Sequence, residues 1–220
     1  MKFFAINGSP RTNKNTVALM KACLKGVVSV RPDAETEIIH LYHVDYSGCM
    51  SCFACKKLGG KSYGRCKVKD GLSSVLHGLA QADGLIFASP IYFAHITGEM
   101  RSFLERLLFQ YYVYDLARSS LAPRKMPTAF IYTMGATQEA MVERNYPEQL
   151  ASMEFFIEKV FSKPMIMYAC NTYQFNDYAK YKADCFSEAA KAKHRAEQFP
   201  KDLQAAFALG VAVSKAAEKP

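Results

Sequence analysis

The amino-acid sequence predicts an α/β fold, a doubly wound five-stranded parallel sheet in the order 2-1-3-4-5, and three observations carry that expectation. Five apolar runs of strand length alternate with stretches whose apolar residues recur at helical spacing. A parallel neighbour can be reached only by a crossover, and those helical stretches supply the crossovers. Runs one, three and four each end in a polar or glycine-containing loop, where a sheet of this kind presents residues to a ligand crevice. The 220 residues, 50% hydrophobic, are enough to cover both faces of the sheet as a single domain over 1–220.

The first strand is Phe3-Phe4-Ala5-Ile6. Residues 7–16 then lead into a helix that starts near Thr16, turns Val17, Met20, Leu24, Val27 and Val28 to one face, and stops before Pro32. Residues 37–41 read as the second strand. After it, residues 45–69 form a long cysteine-rich loop without periodicity, and loops of that length are commonly functional. Asp70 is placed to cap a short helix covering Leu72, Val75, Leu76 and Leu79. The third strand, residues 84–88, ends in the loop Ser89-Pro90-Ile91-Tyr92-Phe93. Thr97 and Gly98 open an amphipathic helix with Met100, Phe103, Leu104, Leu107 and Leu108 on its inner face. Its continuation through Phe109, Tyr111, Tyr112, Val113 and Tyr114 adds aromatic surface suited to a subunit contact or a flat ligand. Residues 128–132 are the fourth strand and stop at Thr133-Met134-Gly135-Ala136. A helix carrying Met153, Phe156, Ile157, Val160 and Phe161 leads past Pro164 to the fifth strand, residues 165–169. A helical extension over about 176–220 follows, with helices expected near 178–198 and 202–217.

The loop Asn-Gly-Ser-Pro-Arg-Thr-Asn-Lys-Asn-Thr at residues 7–16 has the chemistry of an anion site. Loop amides and the first N–H groups of the helix converge, the helix dipole makes that point positive, and Ser9, Thr12, Thr16 and Arg11 add donors. It has neither the G-x-x-x-x-G-K-[ST] pattern nor the dinucleotide glycines. In the 2-1-3-4-5 order this loop borders the same crevice as residues 89–93 and 133–136, so a ligand with a phosphate at one end and a flat ring at the other fits it. Flavin mononucleotide (FMN) has that shape. Tyr92 and Phe93 offer ring faces, and Gly135 allows close backbone approach to a polar ring edge.

A net charge of +8 and pI of about 9.1 suit anionic ligands, while the basic residues are dispersed and no nucleic-acid motif accompanies them. No apolar run is long enough to span a bilayer and the N-terminal run is too short for a signal peptide, so a cytoplasmic location without membrane attachment is expected. Cys49, Cys52 and Cys55 are spaced by two residues, with Cys66 beyond them. Such spacing suits a [4Fe–4S] cluster, and a zinc clip or a set of reactive thiols remains an alternative, because neighbouring Lys56, Lys57, Lys61, Arg65 and Lys67 suit all three. Cys23, Cys170 and Cys185 read as small packing residues. His95 is the one histidine close to these loops in sequence. No Ser-His-Asp or paired-carboxylate arrangement suggests hydrolysis, which fits a protein whose cofactor carries the chemistry.

Taken in order, Gly8-Ser9-Pro10-Arg11 with Asn15-Thr16, Ser89-Pro90-Ile91-Tyr92-Phe93, Gly98-Glu99-Met100-Arg101 and Thr133-Met134-Gly135 resemble the flavodoxin-like NAD(P)H-dependent FMN reductases, and among them the iron–sulfur flavoprotein and multimeric flavodoxin branch. The likeness covers residues 1 to about 170, and the gap before Cys66 is longer than that branch's pattern. It implies a flavodoxin-like fold, with FMN phosphate on Ser9, Arg11, Asn13, Asn15 and Thr16 and the isoalloxazine on Pro90, Ile91, Tyr92, Phe93, Thr133, Met134 and Gly135. It also implies a homodimer or homotetramer, no catalytic side chain beyond the flavin, and electron flow from NADPH or NADH through FMN to a small acceptor such as a quinone or to an iron–sulfur centre. Two further readings stand beside it: an electron carrier without NAD(P)H activity, and a cysteine-based redox sensor.

Overall fold

The structure, a computed structural model, describes residues 1–217; the end of the predicted C-terminal extension, residues 218–220, lies outside it. Strands β1 (Lys2–Asn7), β2 (Glu35–His40), β3 (Gly84–Tyr92), β5 (Thr128–Thr133) and β6 (Met165–Ala169) form a parallel sheet in the order β2-β1-β3-β5-β6. This is the expected order. One strand was not expected: β4 (His95–Ile96) folds back antiparallel on the end of β3. The stretch from Ser89 to Tyr92, read as loop, is therefore strand, because Pro90 still has Thr133 of β5 as its register partner and Tyr92 has His95. The turn itself is Phe93 and Ala94, both with positive φ (50° and 69°).

Alternate residues of each strand face opposite layers. Phe4, Ile6, Leu85, Phe87, Phe130 and Tyr132 meet α2 (Leu72–Leu79), α3 (Gly98–Tyr111) and α5 (Tyr146–Val160), with α4 (Gln138–Glu143) at the same layer's edge. On the other face small side chains alternate with large ones, Ala5, Ala88, Ala129 and Ala169 among Phe3, Ile86 and Ile131. That thin face lets α1 (Asn15–Val30) and α7 (Phe199–Ala216) approach the sheet and one another. Glycines set their distance. A Cβ on Gly26 would sit 2.0 Å from the Phe207 carbonyl oxygen, and one on Gly210 would sit 1.8 Å from that of Cys23.

The C-terminal region is consequently part of the core rather than an appendage, since Phe199, Ala206 and Val213 of α7 are buried and the helix packs against β5 and β6. The helix expected over 178–198 is shorter than its pattern suggested: a single 3-10 turn (Tyr178–Lys180), an irregular stretch, then α6 (Glu188–Glu197). Helix α3 stops at Tyr111, because Tyr112 turns extended and pairs with Ser120, so the aromatic run to Tyr114 leaves the helix. Asp70 does accept from the Leu72 N–H (3.1 Å), but the residue entering α2 is Gly71, and the Asp70 carboxylate has a second partner described below. Cys23 is fully buried, and burial pushes its thiol up to about 12. Cys185 is exposed, contrary to its expected packing role.

Gly210→Ala places a methyl group against the α1 backbone, which cannot yield as a flexible side chain would. A loss of about 1–3 kcal/mol is expected in urea unfolding. Unchanged stability would contradict the close α1–α7 contact.

Candidate functional site

The crevice begins at Asn7, the buried last residue of β1. Its Oδ1 accepts from the Ser9 N–H (3.0 Å), while Nδ2 donates to the Ser9 carbonyl (3.0 Å) and reaches Nδ1 of His40 (2.9 Å). The two backbone bonds to Ser9 fix which end of the amide is which, so Nδ1 of His40 is the acceptor and its proton sits on Nε2. Burial, with His43 and Lys21 nearby, lowers the His40 pKa and keeps that acceptor available. The loop is also held from beneath: Gly8 N–H donates to the Ala88 carbonyl (2.8 Å), and Thr97 Oγ1 donates to the Gly8 carbonyl (2.7 Å).

This anchoring brings the loop to the N-terminus of α1, which has no side-chain cap and no acidic residue in its first turn. Its amide end thus carries the uncompensated positive pole of the helix. One cavity of about 140 Å³ lies there, lined by Ser9, Arg11, Asn15 and Thr16 on one side and by Pro90, Ile91, Tyr92, Thr133, Met134 and Gly135 on the other. Ten of the twelve residues expected at a cofactor thus line one cavity. Asn13 and Phe93 do not. Asn13 is exposed beside the cavity, and Phe93 sits on the β3–β4 turn with its ring in solvent. Pockets that enclose a whole ligand measure about 300–1,000 Å³. A ligand seated here would have one end enclosed and the other at the rim, where Tyr92 is 45% exposed.

The walls include residues that the sequence reading did not single out. Thr172 and Gln174 follow β6 and close the cavity beside Lys14. They were open to inference from the same rule that selected the other loops, since β6 also ends at this edge. Arg11 Nη1 donates to the Gln174 carbonyl (2.8 Å), Asn15 Nδ2 to that of Tyr173 (2.8 Å), and Arg195 of α6 to Asn15 Oδ1 (2.6 Å). Lys191, also from α6 and 2% exposed, donates to the Gly135 carbonyl and to Asn171 Oδ1 (both 2.9 Å). It ties the loop after β5 to the loop after β6. A lysine in an alanine-rich helix gave no sign of this. Thr16 and Thr133 hydroxyls meet at 2.8 Å, joining the α1 end to the β5 end.

The four candidate metal ligands, Cys49, Cys52, Cys55 and Cys66, border one hollow of about 10 Å³ against Phe109 and Gln110 of α3. Four thiols around one space match four-thiolate ligation in kind. Their spacing is looser than a closed metal site, as no three His, Cys, Asp or Glu side chains among the described residues are grouped to hold an ion. Burial pushes the Cys55 thiol above its ordinary value, against the pull of the Lys56 ammonium, with Cys66 and Cys49 raising it further. Lys56 itself donates to the Phe109 and Tyr112 carbonyls at the end of α3.

Arg106 fastens both ends of this cysteine loop to α3. Its guanidinium, 1% exposed, donates to the Ser47 carbonyl (2.9 Å), to Cys66 Sγ (3.1 Å) and to both carboxylate oxygens of Asp70 (2.7 and 3.2 Å). His95, on β4 and exposed, makes no comparable contact.

These features define a class: a flavodoxin-like α/β protein with a cavity at the carboxyl edge of its sheet, beside the uncapped N-terminus of α1. The sequence matches the NADPH-dependent FMN reductase family over residues 1–157, and the chain belongs to that family. It is similar to an iron-sulfur flavoprotein of Methanocaldococcus jannaschii (31% identity over 106 residues, 48% of this chain and 51% of the relative). One of Archaeoglobus fulgidus is 35% identical over 106 residues, 48% of each chain. The chain spans about half the length of the curated relatives it matches. Among solved structures, an NAD(P)H:quinone oxidoreductase from Methanothermobacter marburgensis superposes with a TM-score of 0.69 at 12% identity, covering 96% of this chain and 98% of that one. An FMN-dependent NADH-azoreductase from Bacillus anthracis, solved in complex with FMN, gives 0.62 at 14% identity, covering 99% and 100%. At these identities the likeness is one of fold. No helix among the described residues is long and apolar enough to cross a membrane.

Asp70→Asn leaves the buried Arg106 charge without its counter-ion, and a loss of about 3–5 kcal/mol at neutral pH is expected. Hydrogen bonds from Arg106 hold the Asp70 carboxyl below its ordinary value. The stabilisation is therefore complete above the unfolded pKa of about 3.9 and is lost as pH falls through the lower folded value. Urea midpoints between about pH 2 and pH 7 measure both effects, and equal midpoints at neutral pH would contradict the role of the pair.

Proposed function

We propose that this chain is an FMN-dependent oxidoreductase that takes electrons from NADPH or NADH and delivers them to a small acceptor such as a quinone, or to an iron–sulfur centre held by Cys49, Cys52, Cys55 and Cys66. The observation that carries this reading is the single cavity in which the uncapped end of α1 faces Tyr92, Met134 and Gly135. Bound there, FMN would supply hydride acceptance and electron delivery, chemistry that side chains lack. The protein's part is to bind and orient. Ser9, Arg11, Asn15, Thr16 and the first amides of α1 serve a phosphate, and Arg11 keeps donors to spare beyond its bond to Gln174. Pro90, Ile91, Tyr92, Thr133, Met134 and Gly135 serve the ring.

The relatives named as iron-sulfur flavoproteins support the cysteine assignment, as does the placement of the four cysteines along one hollow. An assembly of two or four chains is supported by aromatic surface beside that hollow: Tyr114 is 68% and Phe156 42% exposed, around a groove of about 590 Å³. This reading treats residues 1–220 as one domain, supported by the burial of α7 in the sheet's core. It assigns the chain to the cytoplasm, where thiols stay reduced.

Purified protein should be yellow, and anaerobic mixing with NADPH or NADH should bleach it within seconds. Prepared without oxygen, it should also carry iron and sulfide in equal amounts. Replacing Ser9 and Thr16 together by alanine removes two donors to a charged phosphate, and FMN affinity should fall at least tenfold. A colourless protein that takes up no FMN would end this reading. Flavin that is bound but not reduced by either nucleotide would make the chain an electron carrier.

A further inference from the structure

A cavity of about 810 Å³, larger than the flavin crevice, is found elsewhere in the molecule. It lies between α2, the C-terminal end of α3 and residues 54–69, and shares no lining residue with the crevice at α1. Its wall carries Lys57, Lys61, Arg65, Lys67, Lys69 and His77 and no carboxylate. Among the described residues none of these five Lys and Arg side chains has an ion-pair partner. Like charges gathered on a concave wall repel one another and focus a positive potential into the space between them. The thiols do not account for them all, because the cations bonded beside the sulfurs are Lys56 and Arg106, neither of which lines this cavity.

The floor has a different character. Leu76 and Tyr111 are buried beneath it, and Leu58, 80% exposed, stands at its lip. Gln110 is 3% exposed, and its Nε2 is a buried donor with no partner. The amide cannot gain one by flipping, since Oε1 already accepts from the Cys66 N–H (2.9 Å). An unsatisfied buried donor is costly, and Gln110 lines the thiol hollow as well as this cavity.

We propose that this cavity is a second binding site, for a small organic polyphosphate of the nucleoside diphosphate kind, with its phosphates among Lys57, Lys61, Arg65, Lys67 and Lys69 and its ring over Leu58, Leu76 and Tyr111. The volume falls in the range of about 300–1,000 Å³ typical of small-molecule sites. A concave wall with an apolar floor favours such a ligand over an acidic protein surface, which would need a flat or convex face. Gln110 and Cys66 line both this cavity and the thiol hollow, so occupancy here is felt at the cysteines.

The test is calorimetric titration of ADP into protein already saturated with FMN, so that the α1 site is filled, with polyglutamate as a second probe. The wild type should bind ADP with an affinity that falls as salt is raised. A Lys61→Glu, Arg65→Glu double variant should bind it at least tenfold more weakly while keeping its FMN content. Absence of ADP binding by the wild type, or equal affinity in the double variant, overturns the proposal. So does binding of polyglutamate without ADP, which would make the wall a docking face for an acidic protein. Flavin content is read separately in each sample, so failure here is distinguishable from failure of the flavin reading.

Discussion

The crevice depends on the buried amide of Asn7. Three hydrogen bonds turn the chain sharply at the end of β1 and lock it to β2 through His40. Gly8 follows because the turn lies directly on the start of α3: a Cβ there would come within 2.8 Å of Met100 Cβ. Thr97 completes the junction. Its hydroxyl donates to the Gly8 carbonyl and accepts from the Met100 N–H (3.3 Å), so the residue that starts α3 also braces the loop between β1 and α1. The loop before α1 is therefore held by contacts among β1, β2, β3 and α3, and α1 has no side-chain cap of its own.

Helix α3 carries that order to the cysteines. Its first residues brace the loop at Gly8, and Arg106 and Gln110, one turn apart near its other end, hold Cys66 by side chain and by backbone. At about 1.5 Å per residue, the two regions are separated along the helix by roughly 14 Å. Arg106 is expensive to bury, and Asp70 together with the Ser47 carbonyl and Cys66 sulfur offset that cost. Both ends of the cysteine loop are thereby fixed, while Cys52 in its middle remains exposed.

Much of this was legible because local pattern and tertiary role agree. Phe3, Phe4, Ala5 and Ile6 are a strand that α1 must follow by a crossover, and the strand order then forces residues 9–16, 89–92 and 133–135 to one edge. What escaped the sequence was decided by distant partners. Ser89 and Pro90 look like a turn until β5 pairs beside them. Lys191 looks like surface until the loops after β5 and β6 close on its ammonium. The helix near 178 was overextended because Tyr178 packs against Tyr173 and Phe175 instead of continuing a helical face. Gly26 and Gly210 signal nothing alone, since only the facing backbone shows why neither can carry a side chain.

The central claim is that the α1 end recognises the phosphate of a flavin nucleotide, and comparison of FMN with riboflavin tests it most directly. The two share a ring and differ in the phosphate alone. Titration of flavin-free protein, followed by quenching of flavin fluorescence, should give an affinity for FMN about a hundredfold or more above that for riboflavin, the equivalent of about 2.7 kcal/mol. Equal affinities would contradict the claim, because the ring would then bind without help from Ser9, Thr16 and the amides of α1.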